Sequence, residues 1–129
     1  MSNVPSNLRY TRDHEWARLE GDGTVVVGIT DHAANTLGDI TFVDVRVAPG
    51  AKVTAGDLFG TVDSVKAVSD LFVPVDGEVV EVNGELEATP EDVNTDCYGD
   101  GWMVRIRPSD AAAFERLLTA AQYEALLQE

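Results

Sequence analysis

Short apolar segments recur along the chain, each closed by a turn, and none is long enough to span a membrane. Trp16, Ala17, Arg18 and Leu19 precede Gly21–Asp22–Gly23, and Val25–Val26–Val27 with Ile29 follow it. That pattern predicts a β-hairpin around a turn that tolerates positive φ. Thr30 is suited to cap, and Gly38 to stop, a short helix over Asp31–Leu37. Apolar positions alternate from Ile40 to Val47, but the phase slips between Phe42 and Val43, which predicts a bulge or an edge rotation. Leu58–Val62, Val68–Val73 and Glu78–Val82 read as further strands, set off by Pro49–Gly50, Ala55–Gly56–Asp57, Pro74–Val75–Asp76–Gly77 and Asn83–Gly84. Trp102–Arg107 closes the β portion, with Trp102, Val104 and Ile106 expected on one face.

Helical signals are short and peripheral. Thr89–Pro90–Glu91 suggests one helical turn with Pro at its first position. Ser109 is expected to cap a helix carrying Phe114, Leu117 and Leu118 on one stripe, and Thr119 with Gln122 has the capping-box spacing for a second helix bearing Tyr123 and Leu126. The expected fold is therefore mainly β, a sandwich or barrel of short strands with small helices attached. One domain is expected over 1–129, with residues 1–9 as an N-terminal extension and 109–128 as C-terminal helices. Trp16, Phe42, Phe59, Phe72 and Trp102 are expected in the core.

Charge removes whole classes of function. Nine Lys and Arg stand against 23 Asp and Glu among 129 residues, a formal net charge of −14. Such a surface repels phosphate backbones and anionic lipid, so neither nucleic acid nor membrane is an expected partner. A hydrophobic content of 44% argues equally against a disordered acidic chain. Cys97 is the only cysteine and so has no disulfide partner in the chain; with His14 and His32 alone beside it, no metal site is expected. Acidic surroundings give Cys97 no cation to activate it, so a loop packing role is expected. His14–Glu15–Trp16 lacks the second His of a zincin motif, and a hydrogen-bonding or packing role is expected for His14. Residues 1–16 contain no apolar signal-peptide core, and the expected compartment is the reducing cytoplasm.

Only two lysines occur, Lys52 and Lys66. Lys66 falls between two predicted strands, near the tip of a hairpin. A flexible stem on a rigid turn is within reach of a modifying enzyme, and it suits a tethered arm that must swing from a fixed base. Most such lysines are simply solvated charges. The neighbours Val65 and Ala67 make this turn unusual, since an ordinary exposed turn favours Asn-Gly or Asp-Gly.

In these residues the chain resembles the glycine cleavage system H proteins. The resemblance runs from about Tyr10 to Tyr123 through His14–Glu15–Trp16, Val27–Gly28–Ile29–Thr30–Asp31, Leu37–Gly38–Asp39–Ile40 and Ser64–Val65–Lys66–Ala67. It continues through Ser69–Asp70–Leu71, Pro74–Val75–Asp76–Gly77–Glu78–Val79, Glu81–Val82–Asn83 and Gly101–Trp102–Met103. The resemblance implies a flattened β-barrel of the lipoyl/biotinyl type, with lipoate in amide linkage on Lys66 and the redox chemistry supplied by that cofactor. It implies a non-catalytic, monomeric carrier with no catalytic residue of its own. The carrier would take the aminomethyl group of glycine from a decarboxylating glycine dehydrogenase to a folate-dependent aminomethyltransferase. Dihydrolipoamide dehydrogenase would then reoxidise it, and a separate enzyme would attach the lipoate. Positions matching the family's polar groups, Asp13, Glu15 and Asp70, would hold the amine of the loaded arm. Asp13 stands where Ser or Thr is common. Recognition by the lipoylating enzyme would involve Asp63, Ser64, Val65 and Ala67, with Asp63 standing where Glu is usual.

Four alternatives keep parts of this picture. An H-like protein would relay lipoate to other 2-oxoacid dehydrogenase complexes. A biotin carrier would bracket its lysine with methionines, whereas Val65 and Ala67 stand here. An enzyme using Lys66 as base or Schiff-base nucleophile would need burial or a cationic neighbour, and Asp63 and Asp70 supply neither. An unmodified acidic adaptor would show the bare mass of the chain.

Overall fold

The computed structural model describes residues 4–128, so residues 1–3 of the expected N-terminal extension and residue 129 lie outside the described residues. In chain order the strands are β1 (Arg9–Tyr10), β2 (Glu15–Leu19), β3 (Val25–Ile29), β4 (Ile40–Val45), β5 (Lys52–Val53), β6 (Leu58–Ser64), β7 (Val68–Phe72), β8 (Gly77–Val82) and β9 (Val104–Pro108). Among the described residues three α-helices punctuate them: α1 (Asp31–Leu37), α2 (Asp92–Thr95) and α3 (Ala120–Leu127). Single 3-10 segments lie at Gly84–Glu87 and Ala111–Arg116. All pairings are antiparallel. One sheet runs β1-β2-β3-β9-β8-β5, and the other runs β4-β6-β7.

The two sheets form a flattened, unclosed sandwich. Val25, Val27, Ile29, Val79, Val104 and Ile106 from the larger sheet meet Val43, Phe59, Val62 and Leu71 from the smaller one. Val26, pointing the other way, joins Leu8, Tyr10, Trp16, Ala120 and Tyr123 in a second cluster that packs α3 onto the larger sheet. With apolar layers on both sides, β3 is buried at every position, which is why it tolerates an unbroken Val run. Gly28 faces Trp16 in the β2–β3 register, and a Cβ there would meet the indole at 2.8 Å. Glycine is required at that position by close approach.

Several expectations hold in detail. Thr30 caps α1, Gly38 ends it, and Thr119 with Gln122 closes a full capping box on α3. A register slip is present in β4, but it falls between Ile40 and Phe42 and not between Phe42 and Val43, where the alternation breaks.

Others are corrected. That bulge turns Phe42 outward, leaving it 45% exposed, while Phe72 and Trp102 are only half-buried; Tyr10 and Tyr123 fill the core instead. Trp102 precedes β9 and packs on the second cluster, so strand alternation does not set its face. Asp110, not Ser109, caps the following segment through Ala112 N–H at 3.0 Å, because both the Ser109 hydroxyl and its N–H donate to the Asp76 carbonyl. Leu117 then turns extended and Leu118 bridges to Tyr10, so no continuous helical stripe forms. Pro90 stands ahead of α2 rather than inside it.

Candidate functional site

Lys66 lies at the tip of the β6–β7 hairpin, which is tighter than the sequence suggests. Continued pairing of Asp63 with Val68 and of Ser64 with Ile40 extends β6 to Ser64 and leaves Val65–Lys66–Ala67 as the turn. Ser64 organises that turn. Its backbone N–H donates to the Ala67 carbonyl at 2.8 Å, and its hydroxyl oxygen accepts from the N–H groups of Lys66 (3.2 Å) and Ala67 (3.1 Å). A serine hydroxyl that mimics a backbone acceptor explains how this turn forms without Asn or Gly.

The tip is braced from behind by a segment whose role was not evident from sequence. Val65 N–H donates to the Asp39 carbonyl at 3.1 Å. Gly38 sits at φ +82°, the left-handed region, and a Cβ there would stand 3.4 Å from Lys66 Cε. The aliphatic stem of Lys66 therefore lies along the end of α1. Asn94 of α2 holds this segment by both ends of its amide: Nδ2 donates to the Gly38 carbonyl and Oδ1 accepts from Ile40 N–H, each at 2.8 Å. Its only sequence signal was the short helix around it. The lysine itself is exposed, and among the described residues no carboxylate lies within ion-pairing distance of its nitrogen.

The three candidate carboxylates have three different environments. Glu15 is 1% exposed. Its Oε1 accepts from the Thr11 hydroxyl at 2.9 Å and its Oε2 from Phe72 N–H at 2.8 Å, so it caps the free edge of β7. Burial raises its pKa to about 7 against those two hydrogen bonds, which pull it down, and the Asp13 charge adds to the rise. Asp70 is exposed on β7, two residues from Phe72, a separation of about 7 Å along a strand. Asp13 is exposed in the turn before β2, where its N–H donates to the Thr11 hydroxyl. Along β7 the order is thus the Lys66 tip, then Asp70, then the Glu15 anchorage.

His14 has φ +65° and lies beside this site, with Nδ1 2.8 Å from the Tyr123 hydroxyl. That hydroxyl also contacts Thr30 Oγ1 at 2.8 Å, linking α3 to the cap of α1. Burial, with His32 nearby, lowers the His14 pKa. Cys97 is buried and its thiol is pushed up to about 12, chiefly by burial, so it is inert at neutral pH. Among the described residues there is no cluster suited to a metal ion.

A flattened β-sandwich that projects a lysine from a braced hairpin has the architecture of the lipoyl/biotinyl class of domain. Residues 8–129 match the glycine cleavage H-protein family, and the chain belongs to that family. It is 55% identical over 127 residues to the glycine cleavage system H protein of a Psychrobacter species, covering 98% of this chain and 100% of that one. Its counterpart in Escherichia coli O7:K1 is 52% identical over 129 residues, 100% of this chain and 99% of the relative. The crystal structure of a glycine cleavage system H protein from Mycobacterium marinum superposes with a TM-score of 0.87 at 40% identity, covering 98% of this chain and 100% of that one.

Proposed function

We propose that the protein carries lipoate in amide linkage on Lys66 and shuttles the aminomethyl group of glycine. Its partners in this reading are the decarboxylating glycine dehydrogenase, the aminomethyltransferase, dihydrolipoamide dehydrogenase and a lipoylating enzyme, all meeting a monomeric, non-catalytic carrier in the cytoplasm. The observation that carries it is the exposed, unpaired Lys66 amine on a hairpin held by Ser64, Gly38 and Asn94. Those residues suit lipoate: the nitrogen is open to acylation, and the base of the arm is fixed while the remainder swings free. When bound, lipoate supplies the sulfur that accepts the aminomethyl group and the dithiol that is later reoxidised.

The chain's own task is then to hold a cation and release it. Asp70 on β7 and the Glu15 carboxylate of β2, which accepts from Phe72 N–H, lie in succession from Lys66, within the sweep of an arm rooted there. A carboxylate beside a primary amine favours its protonated form, and protonation ties up the nitrogen lone pair that would otherwise expel the thiolate and leave an iminium open to hydrolysis. Glu15, sealed by burial and by its two hydrogen bonds, acts on such a cation through its charge and not by direct contact. Asp13 contributes a longer-range negative charge. Asp63, Ser64, Val65 and Ala67 present the lysine to the lipoylating enzyme, with Ser64 acting through turn geometry.

Co-expression with a lipoylating system followed by peptide mapping tests the first half. A lipoyl adduct confined to Lys66 is expected; an unmodified Lys66 would overturn it. Reconstitution with the decarboxylase and transferase tests the second half. A lipoylated protein that takes up no label from glycine would favour the lipoate-relay reading instead.

A further inference from the structure

Among the described residues Glu15 is the only buried carboxylate, and its wiring runs through a neighbour, Thr11. Thr11 leads the turn into β2 and closes that turn on itself. Its N–H donates to the Glu15 carbonyl at 2.9 Å, and its carbonyl accepts from His14 N–H at 3.2 Å. Its hydroxyl oxygen accepts from Asp13 N–H at 3.2 Å and from Glu15 N–H at 3.3 Å. A threonine hydroxyl has one proton and two lone pairs. With both lone pairs facing backbone N–H groups, which act only as donors, the hydroxyl proton is left for Glu15 Oε1 at 2.9 Å. The other carboxylate oxygen, Oε2, meets Phe72 N–H at 2.8 Å, again a fixed donor. Both oxygens of Glu15 therefore face groups that give a hydrogen bond and cannot take one.

That arrangement opposes burial. A carboxyl sealed from water favours its neutral form, whereas donors aimed at both oxygens favour the anion. The elements around Glu15 offer little else to hold the charge. Its own turn carries Arg12, Asp13 and His14, β7 carries Asp70, and α1 begins with Asp31 and His32, while β3 opposes Glu15 with Ile29. Asp13 works against ionisation of Glu15. The Phe72 N–H belongs to the backbone and is present whatever side chains surround it, so the side chain that tips the balance is Thr11. We propose that Thr11 is a positioning residue of the carrier: its hydroxyl, locked as a donor by the turn, holds the Glu15 carboxylate against β7 as an anion, ready for the amine of the loaded arm. This rests on the carrier reading above.

The test follows the carboxyl carbon of Glu15 by NMR as pH is varied, and ammonia release from the aminomethyl-loaded carrier over the same range. Thr11→Val keeps the shape and removes the hydroxyl. It should raise the midpoint of the Glu15 titration by about one pH unit, the size of a hydrogen bond to a charged group. Thr11→Ser keeps the hydroxyl and should leave the midpoint in place. Between the two midpoints, near pH 7, the loaded Thr11→Val carrier should lose ammonia about threefold faster than wild type; the two rates should converge above about pH 9, where Glu15 is ionised in both. In a Glu15→Gln background Thr11→Val should add no further acceleration. Should melting show that Thr11→Val does not fold, Thr11→Ala carries the same expectations. An unmoved Glu15 midpoint would overturn the proposal, as would a raised midpoint with unchanged ammonia release, or an acceleration that persists without Glu15. Failure of the wild-type protein to accept lipoate or the aminomethyl group would instead overturn the carrier reading, and the Glu15 titration would still report whether Thr11 holds the anion.

Discussion

Glu15 shows how burial couples one side chain's packing to its titration. Its pKa of about 7 lies above the ordinary carboxyl value of 4.5, so the folded state binds a proton that the unfolded state has already lost. The resulting stabilisation is complete below about pH 4.5 and disappears as the pH rises through about 7. Glu15→Gln keeps the hydrogen bond from Phe72 N–H and removes the titration. The stability difference between wild type and this variant should therefore move against wild type by about 3 kcal/mol from pH 4.5 to pH 8, measured by urea unfolding. A flat difference would show that Glu15 is not buried in solution. In the loaded carrier the same substitution should hasten ammonia release. Cys97 makes a simpler case: burial should leave it unreactive to a thiol reagent until the protein unfolds, checked by labelling with and without denaturant.

At the scale of elements, what matters is how two short helices steady one turn. α1 and α2 are too short to be stable alone, yet together they present the Gly38–Ile40 segment against the Lys66 hairpin. Asn94→Ala leaves the Gly38 carbonyl and Ile40 N–H without their partner. It should lower stability by about 1–3 kcal/mol and speed amide exchange at Ile40 and Val65, read by NMR. Gly38→Ala forces a side chain into the left-handed region toward Lys66 and should cost about 1–2 kcal/mol by denaturant titration. The element boundaries of α1 and α3 were legible because capping is local chemistry between residues three apart. The cap after β9 was not legible because a distant partner, the Asp76 carbonyl, outcompeted the local role of Ser109.

Over the whole molecule, a net charge of −14 sets how the carrier meets its partners. Around Lys66 the outer face of the smaller sheet carries Asp44, Asp63 and Asp70. Encounter with basic enzyme faces should be fast at low salt and slow severalfold between 0.05 and about 0.5 M salt, because charges beyond a Debye length are screened. Stopped-flow association rates check this, and rates indifferent to salt would remove electrostatic steering. Weak, repeated docking also demands that binding leave the sandwich unchanged, which a double-layered core with β3 buried on both faces provides.

The sequence alone determined most strands, the two well-capped helices, the acidic surface and the lysine on its turn, since each depends on neighbours a few residues apart or on composition. It also carried the family pattern, spread over nearly the whole length. Only the tertiary structure decided that Phe42 faces outward, that Glu15 is sealed against β7 and that Asn94 and Gly38 brace Lys66. Those facts depend on sheet register and on contacts between segments some 50 residues apart, where no local periodicity reports which groups will meet.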